Sequence, residues 1–67
     1  MKKIIYQDLE QETKSENLKE FLEEKKLSDK RVIVEVNGGI LEKNLDFNNI
    51  KINDGDVINV FLIVSGG

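Results

Sequence analysis

The sequence predicts an α+β fold in which a mixed sheet of four to five strands packs on one main helix. Three observations predict it. A single stretch, residues 16–26, carries apolar side chains at helical spacing. Several short runs instead alternate apolar and polar residues with the period of a strand. Two clusters of turn formers, Asn37-Gly38-Gly39 and Asp54-Gly55-Asp56, separate those runs.

Residues 3–7 read as the first strand, with Ile4 and Tyr6 facing a core and Ile5 on the outer face. Residues 8–14 are polar apart from Leu9, which fits a turn and a weak second strand. Ser15 is the expected N-cap of a helix from Glu16 to Lys26, because its hydroxyl can accept from a first-turn N–H. Leu18, Phe21 and Leu22 fall on one stripe of that helix, and Leu27 closes it. Its acidic residues Glu20, Glu23 and Glu24 read as a solvated face. Val32, Val34 and Val36 alternate with Ile33, Glu35 and Asn37, a β-branched strand with one buried face. Asn37-Gly38-Gly39 tolerates positive φ and sets a tight reversal into a short strand at Ile40-Leu41. Leu45, Phe47, Ile50 and Ile52 punctuate a polar loop with one helical turn, and a last strand runs from Val57 to Val64.

Composition narrows the function. A chain of 67 residues is one small domain, and it buries only about 60% of its unfolded surface. Cysteine and histidine are absent, which removes disulfides, thiolate and imidazole chemistry and the usual zinc ligand sets. Ten basic and thirteen acidic residues are interspersed, with no basic stripe for nucleic acid. The longest apolar run, Val60 to Val64, is far too short to span a membrane. The expectation is a cytoplasmic soluble domain that binds neither metal nor cofactor.

The feature left unexplained by folding is the end, Ser65-Gly66-Gly67. The segment Asp54-Gly55-Asp56-Val57-Ile58-Asn59-Val60-Phe61-Leu62-Ile63-Val64-Ser65-Gly66-Gly67, together with the element order, resembles the ubiquitin-like β-grasp sulfur carriers. These are the carrier of thiamine biosynthesis and its relative, the small subunit of molybdopterin synthase. Short length and a lack of proline tilt the resemblance towards the thiamine branch. It implies a β-grasp domain over residues 1–64 and a flexible carrier tail at 65–67. It implies that a partner enzyme uses ATP to adenylate the carboxylate of Gly67, that a sulfur donor system converts it to a thiocarboxylate, and that thiazole synthase receives the sulfur. Gly66 and Ser65 are then the tether, and the chain is a co-substrate with no catalytic residue of its own.

Elementary chemistry agrees with such a tail. A free C-terminal carboxyl has a pKa of roughly 3.3–3.7, so at neutral pH it is an anion and a poor electrophile until its oxygen becomes a leaving group. Two residues without Cβ let the backbone enter a narrow channel. The other readings are the molybdopterin synthase subunit, a ubiquitin-like modifier, and an interaction module in which the tail is idle.

The last strand adds a docking face. Asn59 is its one polar residue, so odd positions face outwards. Ile58, Val60, Leu62 and Val64 are then expected under the helix, and Phe61 and Ile63 outside it. In the β-grasp order the last strand lies between the first and the third, which would set Ile5, Phe61 and Ile33 side by side. An exposed apolar row of that kind marks an interaction site, here with the adenylating enzyme and thiazole synthase.

Overall fold

A computed structural model describes residues 1–41 and 46–63. Leu45, Val64 and the tail Ser65, Gly66 and Gly67 lie outside the described residues. The elements are β1 (Lys2–Tyr6), β2 (Leu9–Thr13), α1 (Leu18–Glu24), β3 (Val32–Val36), β4 (Gly39–Leu41), a 3₁₀ turn at Phe47–Asn49 and β5 (Val57–Leu62). The five strands form one sheet in the order β2-β1-β5-β3-β4. Only β1 and β5 are parallel; the other three pairings are antiparallel. This mixed sheet with a single helix is the ubiquitin-like β-grasp fold that the resemblance implies.

The two hairpins turn tightly for different reasons. At β3–β4 the backbone is left-handed at Asn37 (φ 52°) and Gly38 (φ 86°), the pair of conformations that an Asn-Gly reversal adopts cheaply. At β1–β2 the same reversal is made by Gln7 (φ 51°) and Asp8 (φ 68°), neither of them glycine. The second strand is therefore real although little in its sequence announces it.

The core is one cluster: Ile4 from β1, Leu18, Phe21 and Leu22 from α1, Val34 from β3, Ile52, and Ile58 and Val60 from β5. Tyr6 stacks edge-on against Phe21 with ring centroids 5.0 Å apart, and the Lys25 ammonium lies 5.1 Å from the Tyr6 centroid. Burial pushes the Tyr6 hydroxyl pKa up.

The helix is shorter than the sequence predicts, at both ends. Its N-cap is Asn17, not Ser15: the extended Asn17 accepts the N–H of Glu20 on its side chain at 2.8 Å. Glu20 reaches back to accept the N–H of Glu16 at 2.9 Å, close to a capping box. Ser15 is excluded from capping because its hydroxyl is engaged elsewhere. It is buried and donates to Glu24 Oε1 at 2.9 Å, while Thr13 donates to the same oxygen at 2.6 Å. Burial pushes Glu24 up, but the Thr13 and Ser15 hydroxyls and Lys25 outweigh it and hold the carboxyl below its ordinary value. Glu24 is exposed, as the solvated-face reading expects, and it also clamps the end of β2 to α1. At the other end Lys26 is left-handed (φ 61°), the N–H of Lys26 bonds the Glu23 carbonyl and that of Leu27 bonds the Leu22 carbonyl. That is a Schellman stop with lysine where glycine is usual. It ends the helix two residues before the predicted Lys26.

Candidate functional site

β5 leads towards the tail, and its neighbours change along its length. Its first half is held on both sides. The Asp54-Gly55-Asp56 turn fixes the entry: Asp54 accepts the Lys3 N–H at 2.6 Å, and the Gly55 N–H bonds the Lys3 carbonyl at 2.7 Å. The buried carboxylate of Asp56 accepts from the Asn37 side chain at 3.0 Å and from the Asn53 N–H at 2.8 Å. Asn37 in turn exchanges bonds with the backbone of Val57. These turn residues therefore serve as struts rather than as a ligand site.

β1 stays beside β5 only through the pairs Ile5–Val57 and Tyr6–Ile58. Beyond them the Gln7 side chain takes the place of a strand. Its Nε2 donates to the Val60 carbonyl at 2.8 Å and its Oε1 accepts the Val60 N–H at 3.0 Å. The sequence carried no signal for this bracket, because a glutamine in a turn has no special pattern.

The second half, Phe61 to Ile63, keeps only β3. Phe61 pairs with Ile33, and the Ile63 N–H bonds the Arg31 carbonyl at 2.9 Å. Phe61 is 50% and Ile33 38% exposed, so the outward-facing apolar pair exists as expected. Ile5 is also exposed, but it does not stand beside Phe61. Its partner is Val57, four residues along β5, or about 13 Å at strand rise. Between the two apolar points on this face lies a polar pair, Asn59 donating to Glu35 at 2.9 Å. The expected row across three strands is therefore a two-strand patch at the tail end plus a separate Ile5–Val57 contact. The parallel register is the cause: β1 ends before reaching the level of Phe61.

Parity also fails at the strand end. Leu62, expected under the helix, is 58% exposed, and it lies four residues past Ile58, the last residue of β5 that pairs with β1. Ile63, expected on the outer face, is 43% exposed and instead lines an open groove of about 370 Å³ together with the core-side residues Leu22, Leu27, Val32 and Phe47, with Lys30 and Arg31 also on its wall. Among the described residues, no cluster of acidic, histidine or cysteine side chains could hold a metal ion. No described helix is long and apolar enough to cross a membrane.

The site is thus a stem: a strand held on both sides along its first half and by β3 alone along its second, followed in sequence by Val64 and Ser65-Gly66-Gly67. The model of the ThiS family matches residues 2–67, which takes in both the stem and those three residues. Among solved structures, the thiamine biosynthesis protein (ThiS) from Geobacter metallireducens is similar, with 25% sequence identity and a TM-score of 0.79. The alignment covers 97% of this chain and 99% of that one. A comparison with curated protein sequences found no match. The family pattern runs through every strand of the sheet and on into the glycine end, and the chain belongs to the ThiS family.

Proposed function

We propose that this chain is a sulfur carrier of thiamine biosynthesis and that Gly67 is the residue that carries the sulfur. Membership of the ThiS family supports the carrier role, and it is the observation on which the reading rests. In the finer mechanism, a carboxylate oxygen of Gly67 attacks the α-phosphorus of ATP in the partner's site, and pyrophosphate leaves. A sulfur nucleophile then attacks the carbonyl carbon of the acyl-adenylate, and AMP departs with the bonding electron pair. The thiocarboxylate formed goes to thiazole synthase as sulfur donor. Gly66 and Ser65 act as the tether, and the chain itself is co-substrate rather than catalyst. What the fold contributes is delivery. The clamped half of β5 sets the direction, and the bare half leaves room for a second protein to close around the end.

Intact-mass measurement after incubation with the adenylating enzyme, ATP and a sulfur donor tests this. The expected product has one oxygen exchanged for one sulfur at the C-terminus. No such gain with an enzyme shown to be active, or the same gain from a chain amidated at Gly67, overturns the mechanism.

Phe61 and Ile33 form the docking patch in this reading, and Ile63 is not part of it, since it lines the groove beside Leu22 and Leu27. Phe61→Ser is expected to weaken binding of the adenylating enzyme about tenfold or more, as loss of a buried aromatic at an interface does. Half-exposed in the free chain, it should change stability by less than about 1 kcal/mol. Calorimetric titration and thermal melting read the two effects separately.

A further inference from the structure

We propose that an extended segment of the adenylating enzyme joins the sheet as an added strand, pairing with the free edge of β5 at Leu62; this rests on the carrier reading above. The hydrogen-bond ladder carries the inference. In an antiparallel pair, alternate residues direct both backbone groups to the neighbour, and the residues between direct theirs away. On β5 the residues bonded to the β3 side are odd: the Asn37 N–H bonds the Val57 carbonyl, and the Ile63 N–H bonds the Arg31 carbonyl. The even residues face the other edge. Ile58 meets Gln7 there through the Gln7 N–H, and Val60 meets the Gln7 side chain. Leu62 is next in that series. Its N–H and C=O point to the same edge, and among the described residues nothing accepts or donates there.

Two further observations say what covers this edge. The strand end is apolar and exposed on every open side: Phe61, Leu62 and Ile63 are all exposed, and no described layer lies over Leu62. A donor and an acceptor on one residue at strand spacing are matched by another extended backbone, and such edges are where strands add. The edge also starts three residues before Ser65 and five before Gly67, so a protein that receives Gly67 lies close to it. Gln7 sets the limit. Its carboxamide occupies the position opposite Val60, so the added strand begins opposite Leu62.

Two variants and one exchange measurement test the pairing. Leu62→Pro deletes the outward N–H but no bond to β3, and proline is tolerated where a strand's N–H faces an open edge. Leu62→Ala removes the side chain and keeps the N–H. Leu62→Pro should bind the adenylating enzyme at least tenfold more weakly than Leu62→Ala, the scale of one buried acceptor left unpaired. In the wild-type complex, hydrogen exchange at the Leu62 amide should slow at least tenfold, while the Phe61 amide, already in the ladder, changes less. Equal affinity of the two variants, or unchanged exchange at Leu62 in the saturated complex, overturns the pairing even where the thiocarboxylate forms. A missing mass gain with an active enzyme instead overturns the carrier reading. Should Leu62→Pro not fold, the exchange measurement on the wild-type chain decides alone. Protection of Leu62 that rises with concentration in the free chain points to a second copy on this edge and also overturns the proposal.

Discussion

The two halves of β5 are made of the same kind of residue and have opposite fates. Val57-Ile58-Asn59-Val60 has β3 on one side and β1, then the Gln7 side chain, on the other, and Ile58 is completely buried there. Phe61-Leu62-Ile63 is at least as apolar, yet all three side chains are exposed. Hydrophobicity does not distinguish them. What does is the reach of the neighbours: β1 pairs only as far as Ile58, and Gln7 extends that edge as far as Val60. Burial in so small a sheet is decided by where the adjoining elements stop.

The comparison is most sharply tested by truncating matched side chains in each half. Ile58→Ala should cost about 2–5 kcal/mol, the usual penalty for emptying a packed core position, enough to unfold much of so small a domain. Leu62→Ala should cost less than about 0.5 kcal/mol, as exposed positions do. Denaturant titration of both measures the contrast, and comparable losses would mean that Leu62 is covered after all.

A smaller effect is expected where the halves meet. Gln7→Ala removes the bracket and leaves the Val60 N–H and C=O without their partners, at a cost of about 1–3 kcal/mol. It should also move the frontier back, so that exchange at the Val60 amide rises to the level of Leu62. Unaltered protection of Val60 would show that the glutamine contributes nothing to the boundary.

The smallest effect concerns the cover over the first half. Glu24 clamps α1 to β2, and its carboxyl pKa is lower in the folded chain than its ordinary value. A lowered pKa favours the folded state above the unfolded-state pKa, and that advantage is lost as pH falls through the folded one. Glu24→Gln should therefore cost on the order of 1 kcal/mol near neutral pH, discounted because the side chain is partly exposed to solvent. The difference from wild type should vanish on acidification below the ordinary carboxylate range. A difference that is constant down to strongly acid pH would mean that charge plays no part in the clamp.

Much of this was legible in the sequence because it depends on periodicity. The buried faces of β1 and β3, the helical stripe Leu18-Phe21-Leu22, and the Asn37-Gly38 and Asp54-Gly55-Asp56 turns each follow from side-chain alternation or from residues that tolerate an unusual φ. What stayed hidden depends on competition between distant groups. Ser15 has the chemistry of a cap, but Glu24, nine residues on, takes its hydroxyl, and Asn17 caps instead. The helix stops on a left-handed lysine, a conformation no residue preference announces. Alternation along β5 assigned Phe61 to the outer face but said nothing about where β1 would end, so the register that separates Ile5 from Phe61 and strips Leu62 of cover could not be read. Phe61 and Ile33 were legible as outward-facing residues, but the arrangement of the strands around them was not.

The sheet order has one more consequence. β1 and β2 form one hairpin and β3 and β4 another, and β5 is the sole strand that touches both. A fragment ending before Val57 would be two hairpins and a short helix without a shared sheet, and hairpins alone are marginal in water. Damage or early termination upstream therefore leaves no folded body to compete for the partner. The architecture makes a shared sheet conditional on the strand that leads into the C-terminal residues.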